Sequence, residues 1–559
     1  ARYAEAVEAA MRAGADAGPP LVPVPRDPLR GIPLSFAQEA IWFLQQLSPG
    51  MRAYNFQATL RVLGPLDAGA LERALAEIVR RHEVFRTTFP VVDGRPVQRV
   101  HEPPPMKLDP VDLSALPDGE REAAVRVTLA EEIASPFDVA RLPLVRWTLL
   151  RLDRDEHLLV AVEHHFVHDG WSFGVFLREL KALYEAFLRD EPSPLPPLAV
   201  QYADYAAWQR EWIGSAAARA HLEFWRRTLA GAPPLLELPT DRPRPPVLRF
   251  HGGSRRVRMP AALARGARAL SRERGATLYT VLLAAFYALL GRSSGAEDVT
   301  VGGAVAARGR REAEGLIGMI VNIVALRADL SGDPSFAELL ERVRRVAREA
   351  FSHQEMPFSQ VVDALKPERV LGHLPVYQVA FSSHDSPYPE PALGPARVEV
   401  VEGLPNGSTK FDLQVVVMPR AEQRPGASPE DIELVWEFDT DLFDGATVDR
   451  FIERYWLLLG GALAAPGARV SALPLLTDAE RARLAAWNDT AVALDGAGES
   501  LHGLVEAQAR RTPGAAAVSF GGETLAYAEL DARADTLAAR LRARGVGAES
   551  RVGVCMERS

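Results

Sequence analysis

Along the chain the hydrophobic residues change period several times. Leu158-Leu159-Val160-Ala161-Val162 is a continuous apolar run, the pattern of a buried strand. Just beyond it Phe173, Phe176, Leu177, Leu180, Leu183, Tyr184 and Phe187 recur at three- and four-residue spacing, which predicts a helix. Strand patterns also cover residues 54–63, 85–89 and 144–152, with a helix at 71–79 between the first two. After Pro-rich breaks at 191–197 and 233–246 comes a second group. Strands are expected there at 299–305, 320–326, 376–382, 411–418 and 432–438, and helices at 277–290, 336–351 and 447–463. A helix through Tyr202, Trp208 and Trp212 lies between the breaks. This mixed order predicts an α/β protein with two lobes, at 34–200 and 201–475. Residues 1–33 read as a short helix and a Pro-rich linker, and 476–495 as a helical connector. From 496 to 559 the expectation is a helix from Leu501 and a hairpin across Gly521-Gly522. A helix from Leu530 and a strand Arg551–Met556 complete it.

Composition narrows the class. A chain of 559 residues is too long for one core. Hydrophobic content of 47% and charged content of 25% are ordinary for a globular protein. A net charge of -9 argues against nucleic acid or an anionic membrane as a partner. The longest apolar stretch, Val281 to Leu290, has the length of a core helix and not of a membrane span. Cys555 is the one cysteine, so no disulfide framework or cysteine metal cluster is expected, and the cytoplasm fits. The chain starts at Ala1 without methionine and stops in mid-pattern at Ser559. It reads as a piece of something longer.

The candidate chemistry lies in His164-His165-Phe166-Val167-His168-Asp169-Gly170, between the buried strand and its helix. Adjacent strand residues face opposite ways, so the two leading histidines cannot share one task. That disfavours a metal site, which needs converging ligands. Two readings remain on the local pattern: a core histidine pair before a turn, and a proton-handling histidine oriented by a carboxylate. The Asp-Gly pair suits a tight turn with glycine at positive φ, and Ser172 sits where a helix N-cap could be.

Taken with the rest of the chain, this HHxxxDG stretch resembles the condensation domains of nonribosomal peptide synthetases. SFAQEAIWFL (35–44), RHEVFRTTF (81–89), YADYAAW (202–208), IGMIVNIVALR (317–327), HQEMPFSQVV (353–362) and HLPVYQVAF (373–381) follow in the family's order. LPLLTDAERARLAAWND (473–489) is similar to the connector that follows such domains. ETLAYAELDARADTLAARLRARGVG (523–547) is similar to the opening of an adenylation domain. The resemblance implies two chloramphenicol-acetyltransferase-like lobes in a V-shaped pseudo-dimer, then an incomplete adenylation-domain fragment. It implies amide formation between an upstream acyl or peptidyl thioester and a downstream aminoacyl amine. Both would be carried on phosphopantetheine arms of carrier domains, with no cofactor or metal held by this chain. An adenylation domain is expected as a further partner in the full-length protein.

The resemblance assigns the proton-handling role to His165 and places His164, Asp169 and Gly170 beside it. His164 packs or braces, Asp169 organises the loop through an arginine such as Arg308, and Gly170 leaves room beside the tunnel. Arg86, Asn322 and Arg327 are expected to be structural, and Trp171, Ser172 and Gln354 to line the tunnel. His168 is read as a local variation without a role. An aspartate would stand at His164 in a heterocyclization domain, and an adenylation domain does not usually follow an epimerization domain. IVALR leans toward donors ending in an L or achiral residue, while HHFVHDGWSF also resembles domains that take fatty acyl or polyketide donors. Two alternatives stand beside this reading: a non-catalytic relative that recruits a partner enzyme, and an acyltransferase using coenzyme A.

Overall fold

A computed structural model describes residues 18–27, 29–48, 50–368, 370–388, 392–402, 406–424, 426–492 and 500–556. The expected helix at 1–15, the end of the connector at 493–495 and the first residues of the expected adenylation-domain fragment, 496–499, lie outside these residues. The chain divides into two compact units, 1–477 and 478–559.

Two six-stranded sheets, and a small four-stranded one around Arg95–Val100, build the larger unit. The first runs, edge to edge, Ala392–Leu393, Ala396–Glu402, Asn55–Leu63, Glu156–His164, Val145–Asp153 and Val111–Asp112. On its central strand Leu158, Val160 and Val162 face one way. With Leu113, Ile133 and Leu150 they form a small core under helix Asp118–Ala134. Leu159 points oppositely, into the main core with helices Ala68–Arg81 and Gly170–Leu188. Both faces are covered, which explains the unbroken apolar run.

The second sheet runs Asn322–Asp329, Asp298–Val305, Val379–Ser383, Leu413–Pro419, Ile432–Asp439 and Gly252–Arg258. Its central helix, Leu278–Ser294, is buried all round, with Val281 through Leu290 each at 0% exposure. This is the stretch whose length suited a core helix.

One corner occurs twice. Strand Glu156–His164 leads through five residues into helix Gly170–Leu188, capped by Asp169. Strand Ile432–Asp439 leads through five residues into helix Gly445–Ala464, capped by Asp444. Each of these strands also pairs antiparallel with the strand just before it in its sheet.

Several expectations need correction. Residues 85–89 are not a strand: Glu83–Arg86 is a 3-10 turn, held by Thr87 Oγ1 donating to Glu83 O at 2.7 Å, and only Thr87–Thr88 pair. The strand expected from Ile320 starts at Asn322, because the N–H groups of Ile320 and Val321 donate to Asp169 instead of to a ladder. Asp169, not Ser172, is the helix N-cap. Strand Ala396–Glu402 was not foreseen. It comes from sequence beyond the second lobe's start, yet pairs with Asn55–Leu63 in the first sheet.

In the smaller unit, helix Asp478–Asn488, helix Leu501–Arg511, the hairpin Ala516–Phe520 with Glu523–Ala526, and helix Tyr527–Ala543 follow in order. Arg551–Met556 forms no strand. Among the described residues no strand pairs with it, and Val554 and Met556 stay exposed.

Candidate active site

The two histidines at the end of strand Glu156–His164 part company. His164 is fully buried, edge-on to Phe137 at 6.0 Å, with Nε2 2.9 Å from the Gln45 amide. Phe166 N–H donates to His164 Nδ1, so the ring proton sits on Nε2 and the Gln45 amide satisfies it when its oxygen faces the ring. Burial, reinforced by the positive charge of Lys410, pulls the His164 pKa down to about 3. His164 is a neutral brace.

His165 is the only partly exposed residue between His164 and Asp169. Its N–H extends the ladder to Tyr54 O at 2.8 Å, and the Tyr54 ring stands edge-on to it at 6.1 Å. Its Nδ1 lies 3.0 Å from the carbonyl oxygen of His168. A carbonyl only accepts, so Nδ1 carries the hydrogen and Nε2 keeps its lone pair. Burial holds the His165 pKa well below the ordinary histidine value, and Lys410 and His168 push the same way against Asp169. The ring is therefore a neutral base at physiological pH.

Asp169 ties this loop to the other lobe. Its Oδ1 accepts from Ser172 N (2.8 Å), Ser172 Oγ (2.7 Å) and Arg308 Nη2 (2.9 Å). Its Oδ2 accepts from Ile320 N (2.9 Å) and Val321 N (3.0 Å). Burial would push this carboxyl up, but Arg308 and the Ser172 donors outweigh it and hold it below the usual range. Arg308 also donates to Ala313 O and Leu316 O.

Motifs 35–44, 202–208 and 317–327 meet around this loop, and 353–362 docks on the last of them. Gln38 donates to Phe166 O at 3.0 Å, and Ser35 Oγ lies 2.8 Å from Tyr202 OH, which donates to Met319 O. Gly318 sits at φ +152°, where a Cβ would come within 2.1 Å of the Tyr202 ring, so no larger residue fits. Asn322 donates to Gln354 O and Met356 O and accepts from Phe358 N. A profile of the condensation-domain family matches residues 30–485, and one of AMP-binding enzymes matches 505–559. The chain belongs to the condensation-domain family.

Its curated relatives are peptide synthetases. It is 41% identical over 547 residues to one of the linear gramicidin synthase proteins of Brevibacillus parabrevis. It is 42% identical over 550 residues to phosphinothricin tripeptide synthetase PhsB of Streptomyces viridochromogenes. Each alignment takes in 97% of the chain but only 7% and 45% of those proteins, so the chain spans less than half of either. Among solved structures it is similar to the X-domain from teicoplanin biosynthesis, with a TM-score of 0.74 and 30% identity over 82% of this chain and 100% of that one. The first condensation domain of the calcium-dependent antibiotic synthetase, at TM-score 0.68 and 24% identity over 81% of this chain and 100% of that one, shares the fold.

Within this condensation domain the other expected residues fall in different places. Ser172 is fully buried and belongs to the Asp169–Arg308 anchor, not to a tunnel wall. Trp171 is half-buried and donates to Glu314 O at 3.0 Å. Gly170 is exposed, does not take positive φ, and has no atom within 4 Å of an added Cβ, so it contributes open space and not a turn. Arg86 makes its contacts with His101 O, Arg80 O and Glu83, and none with the loop. Arg327 pairs with Asp298 at 2.7 Å.

Lys410 was missed. Its Nζ lies 4.8 Å from the centre of the Tyr54 ring, on which His165 also rests. Burial draws its pKa down against the pull of Glu437. A signal was present, since only four of the chain's 64 basic residues are lysines and this one stands three residues before the apolar strand Leu413–Pro419. A lysine kept where arginine is the default suggests a need for a compact charge.

Proposed function

We propose that this chain forms an amide between two carrier-bound substrates. The acceptor's free amine attacks the carbonyl carbon of the donor thioester. A C–N bond forms and the C–S bond breaks. The acyl group passes to the acceptor, and the amine's proton leaves through His165 Nε2 toward the departing thiolate. The observation that carries this reading is the partly exposed, neutral His165, whose Nδ1–H is committed to His168 O. A free amine needs a nearby acceptor for its proton at neutral pH, and an imidazole with a bare Nε2 is one. Asp169 acts on the loop and the lobe contact, with all its acceptor capacity taken up there. Thioester aminolysis is downhill, so much of the rate comes from bringing the two arms together.

The substrates are an acyl or peptidyl group upstream and an aminoacyl group downstream, each on the phosphopantetheine arm of a carrier domain. An adenylation domain, of which residues 505–559 match the start, is the further partner. The exposed single thiol of Cys555 suits the reducing cytoplasm. The deciding experiment is intact-mass spectrometry of a downstream aminoacyl carrier mixed with a donor-loaded upstream carrier and this chain. A mass gain that His165→Ala abolishes supports the reading, and no gain with any of several donors sinks it. A second reading, a docking module without chemistry, is favoured by the similarity to the teicoplanin X-domain, which has been solved in complex with OxyB. Specific capture of a partner enzyme with no mass gain would select it.

A further inference from the structure

Two polar side chains beside the site have no place in the chemistry so far. Glu163, one residue before the histidine pair, lies on the same face of its strand as His165 and is 2% exposed. His168, which has no role on sequence grounds, is 1% exposed. His168 Nδ1 lies 2.7 Å from Glu163 Oε2, a close approach not aligned as a hydrogen bond. His168 Nε2 is buried without a hydrogen-bond partner among the described residues. Phe56, paired with Glu163 across the ladder, stacks on the His168 ring at 4.2 Å and 20°.

Such a pair is a poor stabiliser. Taking a carboxylate and an imidazole out of water costs about as much as their attraction returns. What the pair does fix is the His168 residue between two clamps, its ring on Phe56 and Glu163 and its chain neighbour Asp169 on Arg308. Between those clamps lies the His168 carbonyl that accepts from His165 Nδ1. Which ring nitrogen of a neutral histidine carries the proton is decided by the hydrogen bond the other one makes.

Resting on the amide-forming reading above, we propose that Glu163 and His168 are a positioning pair: by aiming the His168 carbonyl at His165 Nδ1, they keep the His165 Nε2 lone pair toward the reacting amine. They are positioning residues, since neither touches substrate. Without the clamp the peptide unit turns, Nδ1 loses its acceptor, and the proton is free to sit on Nε2, where it blocks the base.

The test uses the full chain with Glu163→Gln, which keeps the side-chain shape. Phe56→Leu is the second variant, in case burying the amide impairs folding. Carrier-loaded kinetics should show kcat lowered about tenfold or more, part of the roughly 10²–10⁴-fold a positioned base supplies, with KM for both loaded carriers unchanged. Nitrogen-15 spectra of histidine-labelled protein, with His165 assigned by its loss in His165→Ala, should show the Nε2 of His165 gaining a proton. Wild-type kcat and an unchanged tautomer, with only a lowered melting temperature, would overturn the proposal and make the pair structural. Should the wild type form no amide while the tautomer shifts as expected in the variants, the positioning stands and the amide-forming reading falls.

Discussion

The corner that occurs twice separates scaffold from chemistry. In both lobes a strand ends, five residues turn, and an Asp-Gly pair opens a helix. In the first lobe Asp169 turns inward, fully buried, to an arginine from the other lobe. In the second lobe Asp444 turns outward to Arg242 at 2.5 Å, with both side chains about half exposed. Where the first corner places His164 and His165, the second places Asp439 and Thr440. The same local syntax closes both corners. What distinguishes the first is what crosses to meet it from the other lobe, and the imidazoles it carries.

Exchanging the two aspartates should break this comparison most visibly. Asp169→Asn strips the buried Arg308 of its partner, and breaking such a pair costs about 3–5 kcal/mol. Urea unfolding should show that loss, together with lost amide formation. Asp444→Asn releases a solvated pair and should unfold at the wild-type urea concentration. At the start of each corner, His165→Ala should lower kcat by about 10²–10⁴-fold without lowering the melting temperature, while Thr440→Ala leaves kcat alone. Steady-state amide formation checks both.

A smaller effect concerns the cation near the first corner. Lys410 disfavours the protonated form of His165, so Lys410→Met should raise the pKa of His165. The acid limb of kcat, expected below the ordinary histidine range in the wild type, should move to higher pH. An unmoved limb would remove Lys410 from the site's electrostatics.

The smallest effect is a difference in slope. His164 and Asp439 end equivalent strands with opposite linkage. The folded pKa of His164 is depressed by burial from 6.5 to about 3, so its contribution is present above pH 6.5 and is lost as pH falls toward 3. That of Asp439 is raised by burial and the nearby Asp441 and Asp412 from 3.8 to about 6, so its contribution is present below pH 3.8 and is lost as pH rises through 6. Between about pH 4 and 6, His164→Gln should therefore flatten the rise of stability with pH, and Asp439→Asn should steepen it. Urea midpoints across that range give the two slopes.

Much of the fold was legible because its patterns are local. The apolar run at 158–162, the helix through Phe173 and Leu180 and the all-buried helix at 281–290 each follow from periodicity alone. The divergence of His164 and His165 was readable from the alternation of a strand. Arg308 could be named only as a guess, since nothing in sequence states which of 64 basic residues crosses a lobe boundary. Lys410 was missed, and Glu163 and His168 were given no role, for a related reason. Each gains meaning through a neighbour far away in sequence or across a ladder: Tyr54 under Lys410, and Phe56 under His168. Strand Ala396–Glu402 has no local mark of the sheet it joins.

That strand also sets the terms for recombining such domains. It covers the edge of Asn55–Leu63 with residues encoded more than 300 positions downstream, so the first lobe is not a contiguous parcel of the gene. A chimaera spliced anywhere between 201 and 391 joins one parent's sheet to the other parent's edge strand. The fusion point can look like a clean linker in the alignment and still leave a mismatched seam down the middle of the protein. Donor swaps that carry residues 392–402 along with the first lobe should be recovered as folded protein more often than swaps cut at the linker alone.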